Sequence, residues 1–258
     1  MQSTSDIPHP YQPPRDLLAG RVILVTGAGQ GIGRVAALNF AAHGATVVLH
    51  GRKAKKLEAV YEAIQQAGYP EPAMVALDLR AAADADFGRL ADTIGAELGR
   101  LDGILHSAVL FEGLKRLADL TLDHWLATLR VNLAAPASLN RACQPLLAAA
   151  PDAAVIVTGE THGLAPKAYW GAFAASKAGL AALVGIQADE WEQQPQLRIN
   201  LLVPGPVRSP QRDRSHPAEA QDGLPIPDDL MPWYLYFIGP DSRGRSGETV
   251  SCRVPEAL

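Results

Sequence analysis

The sequence predicts an α/β fold, a doubly wound parallel sheet in a single domain. Three observations predict it. Short β-rich runs alternate with longer helical stretches from Arg21 onward. The runs are apolar almost throughout, as strands covered by helices on both faces require. A glycine-rich string, Thr26 to Gly33, falls between the first run and the first helical stretch. A length of 258 residues fits one α/β domain or two small ones, and no fixed-period repeat or linker-like composition shift divides the chain.

The elements follow in order. Residues 22–25 form an apolar run bounded by Gly20 and Gly27, a buried strand. Residues 32–42 have helical spacing and stop at Gly44, a helix terminator. Residues 46–49 make a second strand, 54–67 an amphipathic helix ending at Gly68, and 73–77 a third strand. A helix over 84–98 precedes a fourth strand at 103–105. Residues 122–149 read as one long helix, bent near Pro136. A strand at 153–157, a helix over 172–191 and a strand at 197–203 follow. Residues 228–238 are helical and 248–252 make a last strand. Residues 204–227 are Pro-rich, charged and aperiodic, which suits a flexible flap over a site or a plain surface loop.

Residues 1–14 are polar and contain Pro8, Pro10, Pro13 and Pro14. They are expected to form a mobile N-terminal tail, leaving the domain to residues 15–258. A tail packed on a neighbouring subunit is the alternative. No charged segment followed by an apolar stretch marks a secretory signal, and no segment approaches ~18 uninterrupted apolar residues, so a cytoplasmic protein without a membrane span is expected. A net charge of −4 gives no reason to expect nucleic acid as a partner. The two cysteines, Cys143 and Cys252, have no metal-ligand spacing; free thiols and no metal site are expected.

The string Thr26-Gly27-Ala28-Gly29-Gln30-Gly31-Ile32-Gly33 carries the chemistry. Glycines there permit a tight turn, let the backbone approach a pyrophosphate and let the helix pack closely on the strand. The helix start offers free N–H groups and the positive end of its dipole. This is the dinucleotide-binding, Rossmann-type arrangement. The second strand ends His50-Gly51-Arg52-Lys53, without the carboxylate that would hold a ribose 2′-hydroxyl. Arg52 can pair with a 2′-phosphate instead, so NADP is expected over NAD.

With these motifs the chain resembles the short-chain dehydrogenase/reductase family over nearly its whole length. Thr26–Gly33 matches that family's T-G-x-x-x-G-x-G form, and the tail end looks like a bacterial branch of unassigned substrate. The resemblance implies roles for individual residues. Asp78 would contact the adenine ring, and Asn132 would hold a water in a proton relay. Ser176-Lys177 matches the end of the Y-x-x-S-K signature, so Lys177 would hold the nicotinamide ribose. Pro204, Gly205 and Val207 match the P-G-x-V turn beside the nicotinamide. Paired helices over 122–149 and 172–191, with Ala-rich faces, would make a homodimer or homotetramer.

The pattern then departs from the family. The tyrosine that moves the proton is replaced by Phe173, and the serine thirteen residues earlier by Glu160. Phenylalanine has no proton to give, and an ionised carboxylate would repel a developing alkoxide. Val109 stands where the family usually has glycine. Tyr169, one helical turn before Phe173, Thr158, Glu160 itself and His162 are the candidate substitutes, while a salt bridge between Glu160 and Lys177 is the leading expectation for that carboxylate. The expected function is an NADP-dependent oxidoreductase acting on a small carbonyl or alcohol. The alternatives are a catalytically impaired NADP-binding protein, serving as sensor or partner subunit, and a non-redox reaction in the same pocket.

Overall fold

A computed structural model describes residues 7–8 and 11–252 of the chain. The apolar runs form β1 (Val22–Thr26), β2 (Thr46–Gly51), β3 (Ala73–Ala76), β4 (Gly103–His106), β5 (Ala153–Thr158), β6 (Leu197–Val203) and β7 (Thr249–Ser251). They pair in parallel in the order β3-β2-β1-β4-β5-β6-β7. From β1 the chain steps outward to β3, then returns to place β4 on the other side of β1. That reversal opens a crevice at the carboxyl ends of β1 and β4, where α/β sheets of this kind bind ligands.

Successive residues of β1 point to opposite faces, as a period of two demands. Ile23 and Val25 join the core under α1 (Gly31–Ala42) and α2 (Ala54–Gln66). Val22 and Leu24 join the core on the other face, with Phe87 and Leu90 of α3 (Asp84–Leu98). The helix expected over 122–149 is divided. It runs as α4 (Leu122–Leu129), a π turn (Arg130–Ala134) and α5 (Ala135–Ala149). Pro136 is the cause. It has no N–H to give to residue 132 and its ring crowds that carbonyl, so the turn widens and the Ala135 N–H reaches back to the Arg130 carbonyl.

The short helix α6 (Thr161–Leu164) and the long helix α7 (Gly171–Glu190) follow β5. By length and composition α7 could cross a membrane, yet it buries Phe173, Ser176, Lys177, Leu180 and Val184 within the domain. Leu122, Leu126 and Ile186 remain exposed on the single chain. The aperiodic stretch 204–227 is not all loop: Pro210–Ser215 forms α8, capped by the Ser209 hydroxyl, which accepts from the Arg212 N–H at 3.2 Å. A 3-10 turn (Pro227–Leu230) then leads into α9 (Met231–Ile238), which completes the α1 face.

Part of the expected mobile tail docks on the domain. Residues 1–6 and 9–10 lie outside the described residues. Ile7 is buried in the core, and Tyr11 meets Tyr236 edge-on at 5.2 Å while its hydroxyl donates to Asp241 at 2.8 Å. Apolar contact and a hydrogen bond together oppose the entropy that would free this segment.

At the end of the sheet away from the crevice, Asp152 ties three segments together. Arg21 donates to its carboxylate at 2.6 Å, Arg198 donates to both oxygens, and Arg243 lies 3.2 Å away. Arg198 also reaches the Gly239 carbonyl at 2.7 Å and the Ser242 hydroxyl at 2.9 Å. Burial pushes the Asp152 carboxyl up, but Arg198 and Arg21 outweigh it and hold it at about 2. Asp152→Ala leaves buried guanidinium groups uncompensated and is expected to cost roughly 3–5 kcal/mol in urea unfolding. Because the folded-state pKa is depressed, the contribution is present above the unfolded value near ~4 and fades as pH falls toward 2. A parent–variant difference that stays constant through that acid range would count against this role.

Candidate active site

Thr26, the last residue of β1, fixes the floor of the crevice. Its hydroxyl accepts from the backbone N–H groups of Ser107 and Ala108, both at 3.1 Å, and faces the Leu105 carbonyl at 3.3 Å. This clamps the end of β4 against the turn that follows β1. Gly27 then takes φ +72°, and a Cβ there would lie 2.8 Å from the Ala108 nitrogen. A Cβ on Gly33 would lie 2.5 Å from the Gly27 carbonyl oxygen. Glycine at these positions is therefore a packing requirement. The N-cap residue of α1, Gln30, caps no N–H of the helix, so the first-turn N–H groups remain available to an anion.

Around this turn lies a cavity of about 420 Å³. It brings together nearly every residue expected to bind cofactor. Gly27, Gly29, Gln30, Gly31 and Ile32 line one wall, Arg52 and Asp78 the end near β2 and β3, and Lys177, Pro204, Gly205 and Val207 the other end. Gly33 sits behind the turn. Arg52 and Lys53 line the cavity, exposed and without an ion pair among the described residues. Asp78 accepts from the Arg80 N–H at 3.0 Å, a bond that shapes the turn after β3.

The proton-handling residues are arranged differently from expectation. Lys177 lines the cavity, wholly buried, and donates to the Thr158 carbonyl at 2.7 Å. Burial lowers its amine to about 8, against an opposing pull from the Glu160 charge. The expected Glu160–Lys177 salt bridge is not formed within 4.0 Å. Glu160 leaves β5 in extended conformation and turns its Oε1 to His162 Nδ1 at 3.2 Å, while Gln211 of α8 faces its other oxygen at 3.5 Å. The backbone carbonyl supplies the lysine with a polar partner and removes the need for a carboxylate.

Asn132 and Phe173 do not line this cavity. The Asn132 carbonyl oxygen accepts from the Leu110 N–H at 2.7 Å, and its amide donates to the Leu110 carbonyl and the Ser176 hydroxyl. Its side chain is thus a clip between the π turn, the segment after β4 and α7. Phe173 is buried against Phe111, with ring centroids 5.0 Å apart, and beside Trp170. Tyr169 cannot serve as a displaced acid. It has φ +73°, lies two residues before α7 begins and is half exposed outside the cavity. Thr158 does line the cavity, with its hydroxyl 3.4 Å from that of Tyr234.

Three residues of the site escaped the sequence reading. Trp170 and Phe111 form an aromatic wall, with His162 stacked flat on Trp170 at 3.8 Å. Trp170 stands three residues before Phe173, a helical spacing that could have signalled their contact. His50 also lines the cavity; both its ring nitrogens are buried without a hydrogen-bond partner among the described residues, and burial lowers it to about 4. Its position in an apolar strand gave no sign of this.

A dinucleotide-binding crevice of this form is matched by known proteins. A profile described as short chain dehydrogenase matches residues 21–220. YciK of Escherichia coli, an uncharacterized oxidoreductase, is 38% identical over 239 residues, covering 93% of this chain and 94% of its own. Its solved structure superposes with a TM-score of 0.90 and covers 95% of this chain and 99% of that one. A short chain dehydrogenase from Shigella flexneri, complexed with NADP, is 36% identical with a TM-score of 0.89, covering 93% and 99%. One from E. coli CFT073, complexed with NADPH, is 37% identical with a TM-score of 0.90, covering 93% and 100%. The chain belongs to the short-chain dehydrogenase/reductase family of oxidoreductases.

Gly33→Ala forces α1 away from the Gly27 carbonyl. It is expected to destabilise the protein by roughly 1–3 kcal/mol, read as a lower melting temperature. An unchanged melting temperature would show that the turn has slack.

Proposed function

We propose that the protein is an NADP(H)-dependent oxidoreductase that exchanges hydride with a small molecule held against Glu160, Lys177 and the aromatic wall. One observation carries the reading: the residues suited to a dinucleotide gather on a single cavity, with two unpaired cations, Arg52 and Lys53, at the end where a 2′-phosphate would lie. The NADP and NADPH complexes of the Shigella and E. coli relatives support it. The free N–H groups of α1 hold the pyrophosphate. Arg52 would pair with the 2′-phosphate, and the N–H groups of Lys177 not given to Thr158 would be free for the nicotinamide ribose. The bound nicotinamide supplies or accepts the hydride; the chain positions the substrate and excludes water. Glu160 is the ionisable group on the cavity wall in place of the missing serine.

Phe173, whose ring centroid lies 6.0 Å from the Lys177 ammonium and which carries no hydroxyl, favours a second reading, a protein that binds NADP without turnover. Two experiments separate these. Arg52→Ala should erase most of the preference for NADPH over NADH in a fluorescence titration; equal affinity of the parent for both nucleotides would contradict the 2′-phosphate assignment. The double variant Glu160→Ser, Phe173→Tyr supplies a neutral donor and a phenol near Lys177, whose charge favours the phenolate. It should raise reduction of a reactive dione by roughly 10²-fold over the parent, and Phe173→Tyr alone by less. A double variant that folds and binds NADPH but stays no faster than the parent favours binding without turnover.

A further inference from the structure

We propose that the natural substrate carries a positive charge into the site: a protonated or N-alkylated imine, C=N⁺, on an apolar or aromatic framework. This deepens the hydride-transfer reading above and rests on it. The wall that would face the reacting atoms holds a carboxylate, an aromatic surface and no phenol. Each feature is unfavourable for a neutral carbonyl and favourable for an iminium ion.

The proton balance comes first. A carbonyl that accepts hydride becomes an alkoxide, which needs a proton at once and is repelled by a carboxylate. The phenol that would give that proton is absent, because Phe173 stands in its place and is turned into the aromatic cluster. An iminium carbon that accepts hydride needs no proton. The hydride pair becomes the new C–H bond, the C=N π pair becomes the nitrogen lone pair, and the cation becomes a neutral amine. Reduced nicotinamide dinucleotide is the reductant and leaves as its oxidised form. Losing the tyrosine removes nothing that this reaction uses.

The charges agree. Glu160 lines the cavity and makes two bonds in this structure, to His162 and Gln211. An ionised carboxylate accepts about four, so it retains capacity toward a cation. Phe111 and Trp170 add aromatic surface to the same cavity, one face of Trp170 being covered by His162, and aromatic rings attract cations more strongly where water is excluded. Three of the cations lining the cavity already have polar partners. Arg212 is held by both oxygens of Glu219, Arg214 donates to the Pro210 carbonyl, and Lys177 to the Thr158 carbonyl.

The test compares two bicyclic compounds of similar shape, the N-methyldihydroisoquinolinium ion and its neutral carbonyl counterpart, α-tetralone, with NADPH. The parent should reduce the iminium with kcat/KM at least roughly 10²-fold above the ketone. A second readout avoids turnover: calorimetric binding of N,N-dimethyltetrahydroisoquinolinium, a cation that cannot be reduced. Glu160→Gln should weaken that binding roughly tenfold or more, and Glu160→Asp, which keeps the charge, should retain most of it. NADPH titration of both variants reports that the fold and cofactor cleft are intact. Equal or faster reduction of the ketone by the parent, or unchanged cation binding by Glu160→Gln, overturns the proposal while leaving hydride transfer standing. A parent that fails to bind NADPH overturns the hydride-transfer reading, and this proposal with it.

Discussion

The rest of the site depends on how closely α1 approaches the end of β1. Gly33 lies so near the Gly27 carbonyl that no Cβ fits between them. Thr26 meanwhile fastens the same turn to β4 through two backbone N–H groups. The helix start, the strand reversal and the crevice are thereby fixed relative to one another by backbone contacts. Side chains farther out are free to change chemistry without moving the phosphate-binding turn. This separation lets the residues at positions 160 and 173 vary without disturbing the turn.

The backbone layer was the part legible in sequence. Short runs that are apolar throughout, glycines at turns and a glycine-rich string between strand and helix are local signals, and the seven strands appeared where those signals placed them. The break at residues 130–134 was only partly legible. Pro136 announced a disturbance, but whether the helix kinks or widens into a π turn depends on what packs against it, here the Asn132 clip to Leu110 and Ser176. The docking of Ile7 and Tyr11 was not legible at all. The partners of Tyr11, Tyr236 and Asp241, lie more than two hundred residues away, and proline-rich polar composition speaks only of the local chain.

The same limit applied to the chemistry. Counting positions located Glu160, Phe173 and Lys177, yet spacing could not say which atoms meet. A buried lysine beside a glutamate suggests an ion pair by cost alone, since an unpaired buried charge is expensive. The structure satisfies Lys177 with a main-chain carbonyl at the end of β5. A carbonyl is a dipole without net charge, so it solvates the ammonium without neutralising it. Lysine therefore stays able to give hydrogen bonds to ribose hydroxyls, and Glu160 stays able to attract something else.

That arrangement bears on the role of α8. Gln211 is its contact with Glu160, and Pro210 lies 3.8 Å from where a Cβ on Gly31 would stand. One short helix thus touches both the phosphate-binding turn and the carboxylate at the far end of the cavity. Its own geometry is braced by the Ser209 cap and by the pairing of Arg212 with Glu219. A ligand that draws the Glu160 carboxylate inward must compete with Gln211. The same six residues therefore border both ends of the cavity, and the Glu160 carboxylate is tied to them through Gln211.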